Sequence, residues 1–200
     1  MIAFVKGILE IKLNGYIIID AGGIGYKVFM SEKSIEKIGN LGDKVVVYTY
    51  HQVREDEQSL YGFLGMEELN MFELLISVSG VGAKSALNIL ANIEPSSFAM
   101  AVVSNDTSKL VKIPGLGAKT AARIILELKD KLKSKEIKQS KDPGTKEIEE
   151  KEDILEEAIS ALQVLGYNKK DIENTFEKID TKDMKLEEMI KMGLKYLARK

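Results

Sequence analysis

The sequence predicts a multidomain α+β protein, and three observations carry that reading. Residues 1–64 are rich in Ile, Val, Phe and Tyr, broken by Asn-Gly and Gly-Gly turns. The middle of the chain uses one glycine-centred turn twice, each time between helical segments. Beyond a polar stretch, the last third has apolar residues at helical spacing.

In the first region, strands are expected over Ile2–Leu13, Tyr16–Ala21, Tyr26–Met30, Val45–Val53 and Ser59–Phe63, with a helical turn at Ser34–Ile38. Asn14-Gly15 and Gly22-Gly23-Ile24-Gly25 supply the hairpin turns. Short strands packed this densely predict a small closed, OB-fold-like barrel over residues 1–64. Arg54-Glu55-Asp56-Glu57 falls at a hairpin tip and places three adjacent carboxylates there. A solvated loop is the plain reading. Paired carboxylates can also hold Mg²⁺ or act as acid and base, but no further ligand lies nearby in the sequence. The lone His51 has no Ser, Asp or second His motif beside it and reads as structural.

Residues 65–133 read as all-α. Val78-Ser79-Gly80-Val81-Gly82-Ala83-Lys84-Ser85-Ala86-Leu87-Asn88-Ile89-Leu90 returns as Ile113-Pro114-Gly115-Leu116-Gly117-Ala118-Lys119-Thr120-Ala121-Ala122-Arg123-Ile124-Ile125. Both glycines, the Ala-Lys pair and two apolar positions are identical between the copies, so the unit is an architectural repeat. Glycine permits a tight turn and close backbone approach. The turn presents the unbonded amides of the following helix, at the positive end of its dipole, to an anion. Lys84 and Lys119 lie in that first turn, where a cation is unfavourable unless an anion binds. Phosphate is the natural ligand, gripped through Gly80, Val81, Gly82, Lys84 and Ser85 in one copy and Gly115, Leu116, Gly117, Lys119 and Thr120 in the other. Such contacts position a nucleic-acid backbone without reading bases. Tight helix packing is the plainer alternative for either copy alone. The resemblance of Gly-Val-Gly-Ala-Lys-Ser to an ATP-binding loop fails, because Ala83 and Val78 stand where that loop needs glycine.

Residues 134–153 hold only Ile137 and Ile148 as large apolar side chains, and include Asp142-Pro143-Gly144. That composition predicts a flexible linker with a root-mean-square span of roughly 25 Å, and a last domain tethered rather than packed. Residues 154–200 read as three helices in a UBA-like arrangement, without an obvious polar constellation, which suits a protein-docking module.

The formal net charge is −2, which counts against a basic-patch nucleic-acid binder and leaves binding to the placement of charges. Cysteine is absent, excluding disulfides, thiolate metal sites and cysteine nucleophiles. Lys6 and Glu10 interrupt the N-terminal apolar stretch, and no apolar run approaches a membrane span, so a cytoplasmic protein without membrane association is expected. No cofactor or metal site is expected.

The paired Gly-x-Gly turns look like tandem helix-hairpin-helix motifs. Together with Gly22-Gly23-Ile24-Gly25-Tyr26, Arg54-Glu55-Asp56, Leu60-Tyr61-Gly62-Phe63 and Ala161-Leu162-Gln163-Val164-Leu165-Gly166-Tyr167, they resemble the RuvA family of Holliday-junction-binding subunits along the whole chain. The resemblance implies a homotetramer, or an octamer on DNA, holding an open four-way junction. It implies that the two turns hold duplex arms, and that Glu55 and Asp56 form an acidic pin near the crossover. It implies partnership with the hexameric ATPase RuvB, docked at Leu162, Leu165, Tyr167 and Leu197, and with a RuvC-type junction resolvase. It implies a non-enzymatic role in recombination and in DNA repair within the SOS response to damage. Two departures, Phe4 in the first strand and Ala118 in the second turn, replace residues that are commonly basic in the family and imply weaker, more salt-sensitive binding. The rivals are a general helix-hairpin-helix repair factor and a metal-dependent enzyme using Glu55, Asp56 and Glu57.

Overall fold

The structure is a computed structural model that describes residues 1–136, 151–179, 181 and 184–197. It divides into two compact units: Met1–Ile76 with Val81–Asn92, and Ser77–Gly80 with Ile93 onward.

The first unit is built on a barrel. Strands β1 (Phe4–Leu13), β2 (Tyr16–Asp20), β3 (Gly25–Phe29), β4 (Lys44–Val53) and β5 (Gln58–Phe63) close in the order β1-β2-β3-β5-β4. All neighbours are antiparallel except β3 and β5, which run parallel with Val28 opposite Leu60. Period-two alternation sends Val5, Leu9, Ile17, Ile19, Val28, Val45 and Val47 inward, which is why the apolar pattern closes into one core. Gly62 belongs to that interior: a Cβ there would lie 2.4 Å from Val28 Cγ1 and 2.6 Å from Val47 Cγ1. Helix α1 (Glu32–Lys37), capped by the Ser31 hydroxyl, adds Ile35 to the same core.

Helices α2 (Met66–Ile76) and α3 (Ala83–Asn92) belong to this first unit. For α2 the reason is aromatic. Phe72 of α2 is fully buried, with ring centroids 5.4, 5.4 and 4.9 Å from those of Tyr50, Tyr61 and Phe63. Phe72 thus ties α2 to the aromatic side chains of β4 and β5, just past the expected boundary at residue 64.

The second unit contains α4 (Pro95–Val103), α5 (Thr107–Val111), α6 (Ala118–Glu136), α7 (Lys151–Val164), α8 (Lys169–Phe176) and α9 (Leu186–Leu197). Pro95 at the start of α4 suits a first-turn position that needs no amide donor. Asp106 caps α5, its carboxylate accepting from the Ser108 amide and hydroxyl at 3.0 and 2.6 Å. Gly166, with φ +89°, ends α7, and the Tyr167 amide returns to the Leu162 carbonyl.

The last three helices are not held by a tether alone. Helices α7 and α9 pack against α4, and α7 also packs against α6. The physical cause is α4 itself, which buries Pro95, Ser96, Phe98, Ala99, Ala101 and Val102 and so needs cover on more than one face. On the surface of α9 the Lys191 ammonium donates to Glu187 Oε1 at 2.8 Å, which lowers the Glu187 carboxyl and raises the Lys191 amine. Residues 137–150, the body of the expected linker, lie outside the described residues; the helical backbone reaches Glu136 on one side and resumes at Lys151 on the other.

Candidate nucleic-acid interface

Each repeated turn is anchored by its apolar residues. Val78 and Val81 in the first copy, and Ile113 and Leu116 in the second, are buried. Val81 and Leu116 thus face inward, and only their backbone can meet a phosphate. Gly80 and Gly115 adopt φ of +85° and +79°, the left-handed region that disfavours any side chain. Gly82 and Gly117 face open space, with nothing within 4 Å of a would-be Cβ.

The carbonyls of Gly82 and Gly117 accept from the Ala86 and Ala121 amides at 2.9 and 3.0 Å, the first bonds of α3 and α6. Glycine therefore stands at each N-cap, where it offers no side chain to the first-turn amides. Neither α3 nor α6 has an acidic residue in its first turn, whereas α2 and α9 each have two. Lys84, Ser85 and Lys119 are exposed and Thr120 half-buried beside those amides. The combination of unfilled N-cap, exposed lysine and missing carboxylate favours a bound anion. Ala118 is exposed on the second turn, so a lysine at that position would have stood on the surface.

Two further residues join this site. The Ser79 amide donates to Glu127 Oε2 at 3.3 Å, and Arg123 Nη1 donates to the Ser79 carbonyl at 3.4 Å. The sequence carries a signal for them, an Arg–Glu pair four residues apart on α6, but nothing in that spacing names Ser79 as its target.

At the other candidate site, Arg54–Glu57 closes the β4–β5 hairpin through a bond from the Arg54 amide to the Glu57 carbonyl at 2.8 Å. All four residues are exposed. Glu57 folds back, its Oε1 accepting from the Ser59 hydroxyl at 2.7 Å. Its charge, second to burial, holds the Tyr61 hydroxyl above its ordinary value. Glu55 and Asp56 are left as the projecting pair. Among the described residues no group of three or more His, Cys, Asp or Glu side chains is placed to hold a metal ion. His51 pairs with Leu60 in the ladder, and its Nδ1 is buried.

The residues expected to dock a partner lie differently. Leu162, Leu165 and Leu197 are buried, and Leu162 fills the space that a side chain at Gly193 of α9 would need. Tyr167 is half-buried, and Tyr196 of α9 is 45% exposed.

Family models match the chain in three stretches: the RuvA N-terminal domain over residues 1–62, a SAM-like helix-hairpin-helix tandem over 72–130, and the RuvA C-terminal domain over 153–198. The Holliday junction branch migration complex subunit RuvA of Acetivibrio thermocellus is 47% identical over 201 residues, covering all of both chains. The chain belongs to the RuvA family. The subunit of the same name from Ruminiclostridium cellulolyticum is 45% identical over 98% of this chain and 100% of its own. That from Clostridium perfringens strain SM101 is 39% identical over the full length of both. For this RuvA-family chain, the barrel, the tandem turns and the C-terminal helices thus stand in the order the family models require. No single helix among the described residues is long and apolar enough to cross a membrane.

Proposed function

We propose that this chain is the non-catalytic DNA-binding subunit of a branch migration complex acting in homologous recombination and DNA repair in the cytoplasm. The observation that carries the reading is the pair of glycine-capped helix N-termini with exposed Lys84 and Lys119, in a chain related over its full length to subunits so named. The turns at Gly80–Gly82 and Gly115–Gly117 hold duplex arms by their phosphates through backbone amides, with Lys84, Ser85, Lys119 and Thr120 beside them. A homotetramer, or an octamer on DNA, presents two turns from each subunit. Four copies of the hairpin gather Glu55 and Asp56 round the crossover, where they repel phosphates and favour a junction over continuous duplex.

The partners are a RuvB-type hexameric ATPase, which supplies the motor, and a RuvC-type resolvase. In the C-terminal domain the ATPase contact is assigned to the half-buried Tyr167 together with Leu162, Leu165 and Leu197, whose burial gives them a supporting part in it. Replacing both Lys84 and Lys119 with Glu should weaken four-way-junction binding roughly a hundredfold or more at 0.1 M salt. The sedimentation behaviour of the free protein should not change. Unaltered junction affinity in that variant would remove the phosphate assignment.

A further inference from the structure

The entry to the first turn is held from the second motif. Glu127 accepts from the Ser79 amide across 48 residues of sequence, and Arg123 donates to the Ser79 carbonyl across 44. Arg123 Nε lies 4.0 Å from Glu127 Oε1, so the two side chains steady each other one helical turn apart. The guanidinium is also the nearest group, at 3.7 Å, to a Cβ placed on Gly80. One carboxylate and one guanidinium thus bracket both polar backbone groups of one residue. That residue precedes a glycine in the left-handed region, whose backbone has no side chain to fix it. The helix that supplies the bracket, α6, is the one whose own N-terminus forms the second turn.

We propose that Glu127, acting with Arg123, is a positioning residue for the first phosphate grip: it holds Ser79–Gly80 to α6, so that the chain entering the first turn is fixed before a DNA backbone binds. The inference rests on the reading of the turns as phosphate grips. Its force comes from preorganisation, since a turn fixed before binding loses less freedom on binding. It also runs against simple electrostatics. A carboxylate beside a DNA-binding turn repels phosphate, so charge alone predicts that removing Glu127 strengthens binding, whereas positioning predicts that removal weakens it.

The test uses the full chain, a synthetic four-way junction and the variants Glu127→Ala, Glu127→Gln, Lys84→Ala and Glu127→Ala with Lys84→Ala. Glu127→Ala is expected to lower junction affinity roughly fivefold to tenfold, the scale of one ordinary intramolecular hydrogen bond. Glu127→Gln, whose amide oxygen can still accept from Ser79, should recover most of that loss. Lys84→Ala should do less damage in the Glu127→Ala background than alone, because the grip is already misplaced. In the free protein, hydrogen exchange at the Ser79 amide should accelerate in Glu127→Ala while the thermal midpoint stays within a few degrees. Should Glu127→Ala fail to fold, Glu127→Asp, too short to reach Ser79, provides the same comparison. Binding as tight as wild type or tighter in Glu127→Ala, or losses that multiply independently, overturns the inference. Lys84→Ala without effect in the wild-type background overturns the phosphate-grip reading, and this inference with it.

Discussion

Gly80 and Gly82 are two residues apart and answer to different constraints. Gly80, like Gly115, is required by its backbone, so Gly80→Ala should cost about 1–2 kcal/mol of stability, measurable by urea denaturation. Gly82 stands in open space at an N-cap, where serine is a good residue. Gly82→Ser should leave stability within about 0.5 kcal/mol or raise it, yet weaken junction binding, because the new hydroxyl occupies the amides a phosphate would take. A binding loss without a stability loss is the signature of an open anion site. Asp106 offers a pH test. The Ser108 hydroxyl, followed by backbone bonds and Lys109, holds its carboxyl below the ordinary 3.8. A depressed folded value means that its stabilisation is complete above 3.8 and is lost as pH falls through the lower folded value. The stability advantage of wild type over Asp106→Asn should therefore be present at neutral pH and decline only in strong acid. The left-handed Gly80 and Gly115 and the exposed Lys84 and Lys119 could be anticipated from the sequence because a twice-used motif exposes its own constraints. Arg123 and Glu127 could not, because their target is a backbone group in the other copy.

The barrel shows how far periodicity reaches at the scale of elements. Alternation marks the inward residues of β2 and β4, whereas β5 is buried at every residue from Ser59 to Phe63; the strands begin and end within two residues of the positions expected from composition. What alternation does not give is the crowding at Gly62. A methyl group there would press on Val28 and Val47, so Gly62→Ala should destabilise the chain by about 1–3 kcal/mol as an overpacked core, seen as a lowered thermal midpoint. The β4–β5 hairpin likewise reads as three carboxylates in sequence but two in space, since Glu57 is engaged with Ser59. Glu55→Gln with Asp56→Asn should raise affinity for linear duplex more than for the four-way junction in a competition assay. The membership of α2 in the barrel's unit was hidden for a similar reason: helical spacing marks Phe72 as inward but does not say that Tyr50, Tyr61 and Phe63 receive it.

For the whole molecule, the composition of 134–153 led to an expectation of a tethered last domain, and the packing of α7 and α9 on α4 corrects it. A polar stretch reports on the segment that carries it, not on whether the helices beyond it find a partner. The better signal was α4, whose Phe98-Ala99-Met100-Ala101-Val102-Val103 run is too apolar to be covered from one side. Near-neutral overall charge has a parallel meaning for DNA binding. In the proposed tetramer, with two grips per subunit and roughly one phosphate per grip, the slope of log K against log salt should be about −7. The proposed function makes each grip weak and leaves selectivity to assembly and to the acidic hairpins. That central claim is tested most directly by competing a four-way junction against linear duplex of equal length for the full protein at 0.1 M salt. The account predicts that the junction is preferred by at least about tenfold, a difference of about 1.4 kcal/mol. Equal affinity for the two DNAs would contradict it.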